Sequence, residues 1–428
     1  MLRRGTTISS APAPNAINHT SLGRRRPQGV GFPEWAASLS LIALYSYVVN
    51  FLFDHGFPEL QPNYFYAAVY LSAVYVYVTN SRSKQAISNV AIPLAIWVVL
   101  LVLMTLQILF FDIGPSGANL FVGRIHFFLT MISFAVILTG CARFDVVILT
   151  LACVVVAGCL INLAEFLYAG SSFDWMSTVP GRAAGLYENS NDSAMFICFA
   201  VPIVGLNASG RLRVLFYAIT FLGVSLTFSR GGLLSWIIFV AATELILTHQ
   251  SRGWPRALLL GFVAATVLML IISLFSSDLG KTVTDVLWPY LDANTSTRLE
   301  TIEGASTDER IYIINRGLQA FSEAPLFGQG IGSTYAWDVG FSVHNMIILM
   351  LAEMGLVGGA WFVLFVTSLW KYGRPYGVLA ALTLVTTGMF THNHFERPAV
   401  AAILIFYLVA QTRFRKSGVA NVSLRSAR

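Results

Sequence analysis

The sequence predicts an all-α polytopic membrane protein with about twelve transmembrane helices, and three observations predict it. Only 11% of the 428 residues are charged while 56% are hydrophobic, and the mean hydropathy is +0.68. A soluble domain carries about 25% charge. Apolar runs near the ~20 residues that cross a bilayer recur from Trp35 to Thr412. The cations, finally, concentrate in alternate connections between those runs, the bias that orients membrane helices. Lipid offers no water to unpaired backbone groups, so the spanning elements are helices. A secreted or cytosolic globule is excluded.

Spans are expected at 35–53, 63–79, 89–111, 121–140, 145–168, 191–206, 213–228, 233–249, 256–275, 344–369, 375–391 and 398–413. With the N-terminus inside, 19 of the 27 cations fall on the cytoplasmic side. Residues 1–33, with Arg3, Arg4 and the run Arg24 to Arg26, read as a disordered basic cytoplasmic tail. They lack a cleavable signal, so the first helix serves as its own insertion signal. Residues 34–413 form a single transmembrane domain, and 414–428 a second basic cytoplasmic tail. The net charge of +6 does not point to nucleic acid, because the basic residues are spread over short loops and tails. Cys141, Cys153, Cys159 and Cys198 have neither metal-ligand nor paired spacing and read as small core residues.

Eight cations break the bias and lie outside: Arg124, Arg182, Arg230, Lys281, Arg298, Arg310, Arg316 and Arg397. The outer side also carries a loop at 169–190 and a long loop at 276–343. Long loops with recognisable structure are usually functional. In the longer one, Ile311, Ile314, Leu318 and Phe321 recur at helical spacing before the breaker stretch P-L-F-G-Q-G-I-G at 325–332. This predicts an amphipathic helix on the outer interface.

The strongest local pattern is H-N-M-I-I-L-M-L-A-E-M-G-L-V-G, in which His344 and Asn345 precede Gly355 and Gly358. Asn345 is suited to cap the helix, and Gly355 with Gly359 to form a small face for a neighbouring helix. By itself the pattern also fits an ordinary, tightly packed helix with a wet cap. It resembles, however, the signature of the bacterial O-antigen ligase and polymerase family, to which pilin oligosaccharyltransferases are related. L-T-F-S-R-G-G-L-L at 226–234, E-R-I-Y-I-I-N-R-G-L-Q-A-F at 309–321 and A-P-L-F-G-Q-G-I-G at 324–332 agree with it.

The resemblance implies a GT-C-like glycosyltransferase in the bacterial inner membrane, facing the periplasm, that needs no cofactor and no metal. The donor it implies is an undecaprenyl-diphosphate-linked glycan, and the acceptor a hydroxyl of lipid A core or another glycan. The residue chemistry is compatible: fixed cations must then meet the diphosphate, and arginine offers a rigid fork that stays protonated. Arg182, Arg230, Arg310 and Arg124 are the expected ligands, although any one of them also suits an interface anchor. His344 is the candidate to orient or deprotonate the acceptor, because imidazole titrates near neutral pH. Asn345, Gly355 and Gly358 support it.

The remaining polar groups are less specific. T-H-N-H-F-E-R-P at 391–398 reads as a solvated outer turn rather than a metal site, since its two histidines lack a further ligand pair. Glu353 and Glu165 lie within spans and require internal partners. A transporter of lipid-linked glycan would show two related halves with interrupted helices, a symmetry this sequence lacks. Resemblance to the polymerases of O-antigen or exopolysaccharide would imply two substantial outer loops, each with an arginine-led motif ending in glycine, and the loop at 169–190 is modest. Eleven positions beyond Arg182, Arg310 and Arg316 stand Ser193, Phe321 and Phe327, which favours ligase and leaves polymerase as the alternative.

Overall fold

A computed structural model describes residues 29–111, 114–167, 182–187, 189–250, 305–337, 343, 345–372, 375–391 and 393–425. Among them there are only helices and their connections. In chain order these are α1 (Phe32–Ser40), continued by a π-turn (Leu41–Tyr45), α2 (Val48–Asp54), α3 (Pro62–Thr79), α4 (Ala86–Phe110), α5 (Gly114–Gly140) and α6 (Phe144–Leu167). Next come α7 (Ser190–Asn207), α8 (Gly210–Ser225), α9 (Arg230–Gln250), α10 (Ala305–Glu323), α11 (Met346–Tyr372), α12 (Tyr376–Gly388) and α13 (Pro398–Arg425).

Five of these helices are long and apolar enough to cross a membrane: α4 from Val90, α5, α6, α9 to Leu247, and α11 to Lys371. The pair on either side of Tyr47, bent by 46°, adds a sixth. The other expected spans are helical but shorter or more polar. α7 opens on Asn191, Asp192 and Ser193, and α8 on Arg211 and Arg213. α12 and the apolar part of α13 are short. The expected span at 256–275 lies outside the described residues, as do most of the loop 169–190 and half of the loop 276–343. Side chains such as Leu71 (70% exposed) and Phe110 (79%) project from the bundle, which suits lipid rather than water.

α7 is buried along nearly its whole length, enclosed by α6, α8 and α9. α5 packs on α3, α4 and α13, and α11 on α4, α10 and α12. α10 turns Ile313, Gly317 and Ala320 inward, with Gly317 close against Ile348 of α11. Ile311 and Leu318 of the predicted apolar stripe stay exposed on its other side.

α11 departs from the sequence expectation. Gly355 is not a packing residue on a continuous helix; it has φ 62° and ψ −153° and interrupts the helix. The interruption frees backbone groups, and the stretch from Pro325 to Gly330 supplies their partners. Leu356 N donates to Pro325 O at 2.8 Å and Val357 N to Leu326 O at 3.3 Å. Gln329 N donates to Ala352 O at 2.9 Å and Gly330 N to Glu353 O at 3.0 Å. The Gln107 amide of α4 ties this stretch to α11, donating to Phe327 O at 2.8 Å and Glu353 O at 3.0 Å. A Cβ on Gly328 would fall 2.3 Å from the Glu353 carbonyl carbon, and one on Gly355 would fall 2.5 Å from that of Leu326. Gly358 lies one turn on, where a Cβ would meet Met354 Cβ at 2.4 Å.

Gly355→Ala should therefore lower stability in detergent by roughly 3 kcal/mol or more, from positive-φ strain plus a backbone clash. Gly158→Ala is the control, since a Cβ there meets nothing within 4 Å; its effect should stay within about 1 kcal/mol. Equal melting temperatures for the two variants would contradict this account of the break.

Candidate active site at one end of the bundle

The strap at Pro325 to Gly330 fixes Glu353, and Glu353 fixes Arg124. The two side chains form an ion pair at 3.7 Å, each 1% exposed. Thr334 Oγ1 donates to Glu353 Oε1 at 2.7 Å, and an Arg124 NH group reaches Met104 Sδ at 3.4 Å. Glu353 thus has the internal partner its depth requires. Arg124 faces α11 and the core rather than an open surface. Removing one member of such a pair typically costs about 3–5 kcal/mol, because the other is left charged and buried.

A second anchor holds the connection before α7. Glu165 Oε2 accepts from Ala184 N at 2.8 Å and Gly185 N at 2.7 Å, which answers the need of this buried carboxylate in α6. The same connection carries Arg182, whose Nε donates to Thr227 O at 2.9 Å and whose terminal amine donates to Asn191 Oδ1 at 3.0 Å. Arg182 is buried and ties the end of α8 to the start of α7. One residue on, Asp192 pairs with Arg397 at 2.6 Å. The Arg397 guanidinium also lies 5.8 Å from the ring centre of Tyr47, which stacks on Tyr187 at 5.6 Å. Tyr47 itself has φ 64°, at the bend between α1 and α2.

The 391–398 turn is not solvated as expected. Phe395 inserts among Trp97, Phe127, Trp361 and Phe365, with centroids at 5.0–5.9 Å. His394 is fully buried and shares a 2.6 Å hydrogen bond with Thr387 Oγ1. Insertion of one phenyl ring explains the burial of the turn, and each aromatic contact adds about 0.5–1.5 kcal/mol beyond area. The turn brings Glu396 against α5, where a Cβ on Gly123 would lie 3.6 Å from it.

Arg230 opens α9 and is exposed. Ser229 precedes it, with Oγ accepting from Gly232 N at 3.1 Å. Gly231 and Gly232 let α9 approach protein rather than ligand, since Cβ atoms there would meet Phe390 at 2.6 Å and Ala194 at 2.5 Å. Asn345 caps α11 as expected, its Oδ1 accepting from Ile347 N at 3.0 Å and Ile348 N at 3.1 Å. His344 lies outside the described residues. Arg310 belongs to the N-terminal third of α10.

The contacts therefore link Arg182, Asp192, Arg397, Glu396, Arg124 and Glu353 at one end of the bundle, with Gly232 of α9 close against Ala194 in the first turns of α7 and the exposed Arg230 two residues before it. Sequence reasoning did not find the Asp192–Arg397 and Arg124–Glu353 pairs, because their members are about two hundred residues apart. The only signal was the cost of the charges themselves. Among the described residues no three His, Cys, Asp or Glu side chains gather at metal-binding range.

Residues 215–363, from within α8 to within α11, match the family model described as O-antigen ligase. The match takes in Arg230, Arg310, the strap, Asn345 and the break at Gly355, and it supports the O-antigen ligase and polymerase family. None of the curated proteins compared matches the chain.

Glu396 Oε1 is enclosed without a hydrogen-bond partner. Burial pushes its carboxyl up to about 7; Arg124 pulls it down, Glu353 pushes it up and Arg397 pulls it down. Unfolding returns it to about 4.5, so between these values the folded chain binds the extra proton. Its contribution to stability is full below the unfolded value and is lost as pH rises through the folded one. Glu396→Gln escapes this loss. Its melting temperature should gain on the wild type between about pH 5 and about pH 8, whereas a difference constant with pH would contradict the assignment.

Proposed function

We propose, from the O-antigen ligase segment at residues 215–363, that the chain transfers a glycan from undecaprenyl diphosphate to an acceptor hydroxyl of lipid A core or a similar glycan. The reaction takes place at the periplasmic face of a bacterial inner membrane, within a twelve-span GT-C-like fold, without a metal and with inversion. The observation that carries this reading is the meeting of the matched segment with the arginine-bearing end of the bundle. Arg230 and Asn345 belong to the segment, and Arg182 reaches the turn of α7 against which α9 packs.

The acceptor oxygen attacks the anomeric carbon as the bond from that carbon to the diphosphate oxygen breaks. The acceptor proton passes to His344, and charge grows on the departing diphosphate. Fixed guanidinium groups lower that barrier because they are oriented before the charge appears. Arg230, exposed at the start of α9, is suited to direct contact, and Arg310 of α10 to the same diphosphate. Arg182 has two protein partners and still presents a cation there. Arg124, paired with Glu353, positions α5 against α11 and thereby the helix that follows His344.

Deleting the gene and analysing the glycolipids tests the reaction class. Long lipid-linked polymer without its acceptor is the result expected of a ligase; accumulation of single lipid-linked repeats would make the chain a polymerase. In purified protein, His344→Ala should lower turnover by about 100-fold or more while donor binding is kept, the usual scale of general acid–base catalysis. Arg230→Ala should weaken binding of a non-hydrolysable donor analogue, with poor rescue by lysine, which lacks the fork. Unchanged turnover in the first variant and unchanged binding in the second would reduce them to a helix cap and an interface anchor.

A further inference from the structure

The opposite end of the bundle holds a cavity that the glycan reaction does not use. It has a volume of about 490 Å³, within the ~300–1,000 Å³ of small-molecule sites. The α3–α4 turn, the C-terminal end of α5 and the apolar part of α13 enclose it. Thr139 lies fifteen residues along α5 from Arg124, about 22 Å at the helical rise. Arg82 and Arg413 line the cavity together with Ser81, Gln85, Thr139 and Thr412. We propose that this cavity binds the phosphate headgroup of an anionic phospholipid.

Charge is the first argument. Both guanidinium groups line the one cavity, and among the described residues no carboxylate lines it. The nearby Glu34 is buried and occupied by backbone amides: Oε1 accepts from Ala142 N and from Arg143 N at 2.8 Å, and Oε2 from Gly31 N at 3.0 Å. Arg143 already has Asp145 at 3.2 Å. Two cations in one concave polar site call for an anion, and guanidinium forks match phosphate oxygens.

Preorganisation is the second. A terminal amine of Arg413 donates to Leu138 O at 2.8 Å and also to Cys141 O, and its guanidinium lies 4.6 Å from the ring centre of Phe144. The side chain is thereby fixed on the end of α5, while its Nε and Thr139 Oγ1 have no hydrogen-bond partner. Arg82 is exposed beside it, and Ser81, Gln85 and Thr412 add donors.

The flanking surface selects a lipid over a free anion. Tyr75 (54% exposed), Val78 (70%) and Ile87 (43%) stand out from the ends of α3 and α4 that meet at the turn. A phosphodiester held between the arginines leaves its acyl chains along this apolar face, the arrangement expected of basic pockets between spanning helices. The cation count assigns this end to the cytoplasm, whose leaflet is anionic.

The test is native mass spectrometry and thermal stability of the purified full chain. Phosphatidylglycerol, phosphatidylcholine or inorganic phosphate is added after delipidation. Phosphatidylglycerol should be retained at one per chain and raise the melting temperature, with phosphatidylcholine and inorganic phosphate doing neither. Arg82→Ala, at an exposed position outside the α5 cap, should keep the lipid-free melting temperature and lose about tenfold in retention, the scale of one charge-assisted hydrogen bond. Arg413→Lys, which keeps the charge without the fork, should fall between. Equal retention of the two lipids, or full retention by Arg82→Ala, would overturn the proposal. So would inorganic phosphate that stabilises the chain by itself and displaces the lipid, since the site would then be one for free anion.

Discussion

A helix interrupted inside a membrane must find replacement partners for the backbone groups it frees, and the break in α11 at Gly355 imposes that constraint on the rest of the polar end. The strap at Pro325 to Gly330 meets it with four backbone hydrogen bonds, and the Gln107 amide ties the strap to α11. The strap also leads into the turn that gives Thr334 to Glu353. The Glu353 carboxyl group can then lie buried because Arg124 and Thr334 are in place to meet it. Leaving any one of these groups unpaired costs more in lipid than at a water-exposed surface. The break, strap and ion pair therefore form one unit, and they set the height of α11 against α4 and α5.

From that unit the polar end extends through the inserted Phe395 to Glu396 and Arg397, then to Asp192 and across α7 to Arg182. Most of its cations have protein partners, so the arrangement is rigid before any substrate arrives. Rigidity of this kind suits a transferase, whose fixed charges must already point where the leaving group develops its own. The opposite end differs in kind. There Arg82 and Arg413 share a cavity whose lining, among the described residues, holds no carboxylate.

The helical class, the positions of most helices and the Asn345 cap were legible in the sequence, because apolar run length and cap chemistry are local properties. Gly355 was visible as part of a motif but not as a break, since packing glycines and hinge glycines look alike until the partner strand is known. That strand, P-L-F-G-Q-G, was readable only as a breaker stretch. Glu353 and Glu165 announced that they needed partners, yet an ion pair to a residue 229 positions away in the one case and two loop amides in the other are products of tertiary packing. The 391–398 turn read as solvated because its polar letters outnumber Phe395, whereas the one aromatic ring decides where the turn sits. Likewise the helix expected at 191–206 is present as α7, but its enclosure by α6, α8 and α9 is a product of packing that composition does not show.

In the proposed function this end of the bundle transfers a lipid-linked glycan with fixed protein cations in place of a metal. Its most direct test reconstitutes the purified chain in liposomes with an undecaprenyl-diphosphate-linked glycan and a lipid A core acceptor, in chelator and without nucleotide. Glycan on the acceptor and free undecaprenyl diphosphate, in equal amounts, is the predicted result. Transfer that requires a nucleotide sugar, or that stops in chelator and returns with magnesium or manganese, would contradict it.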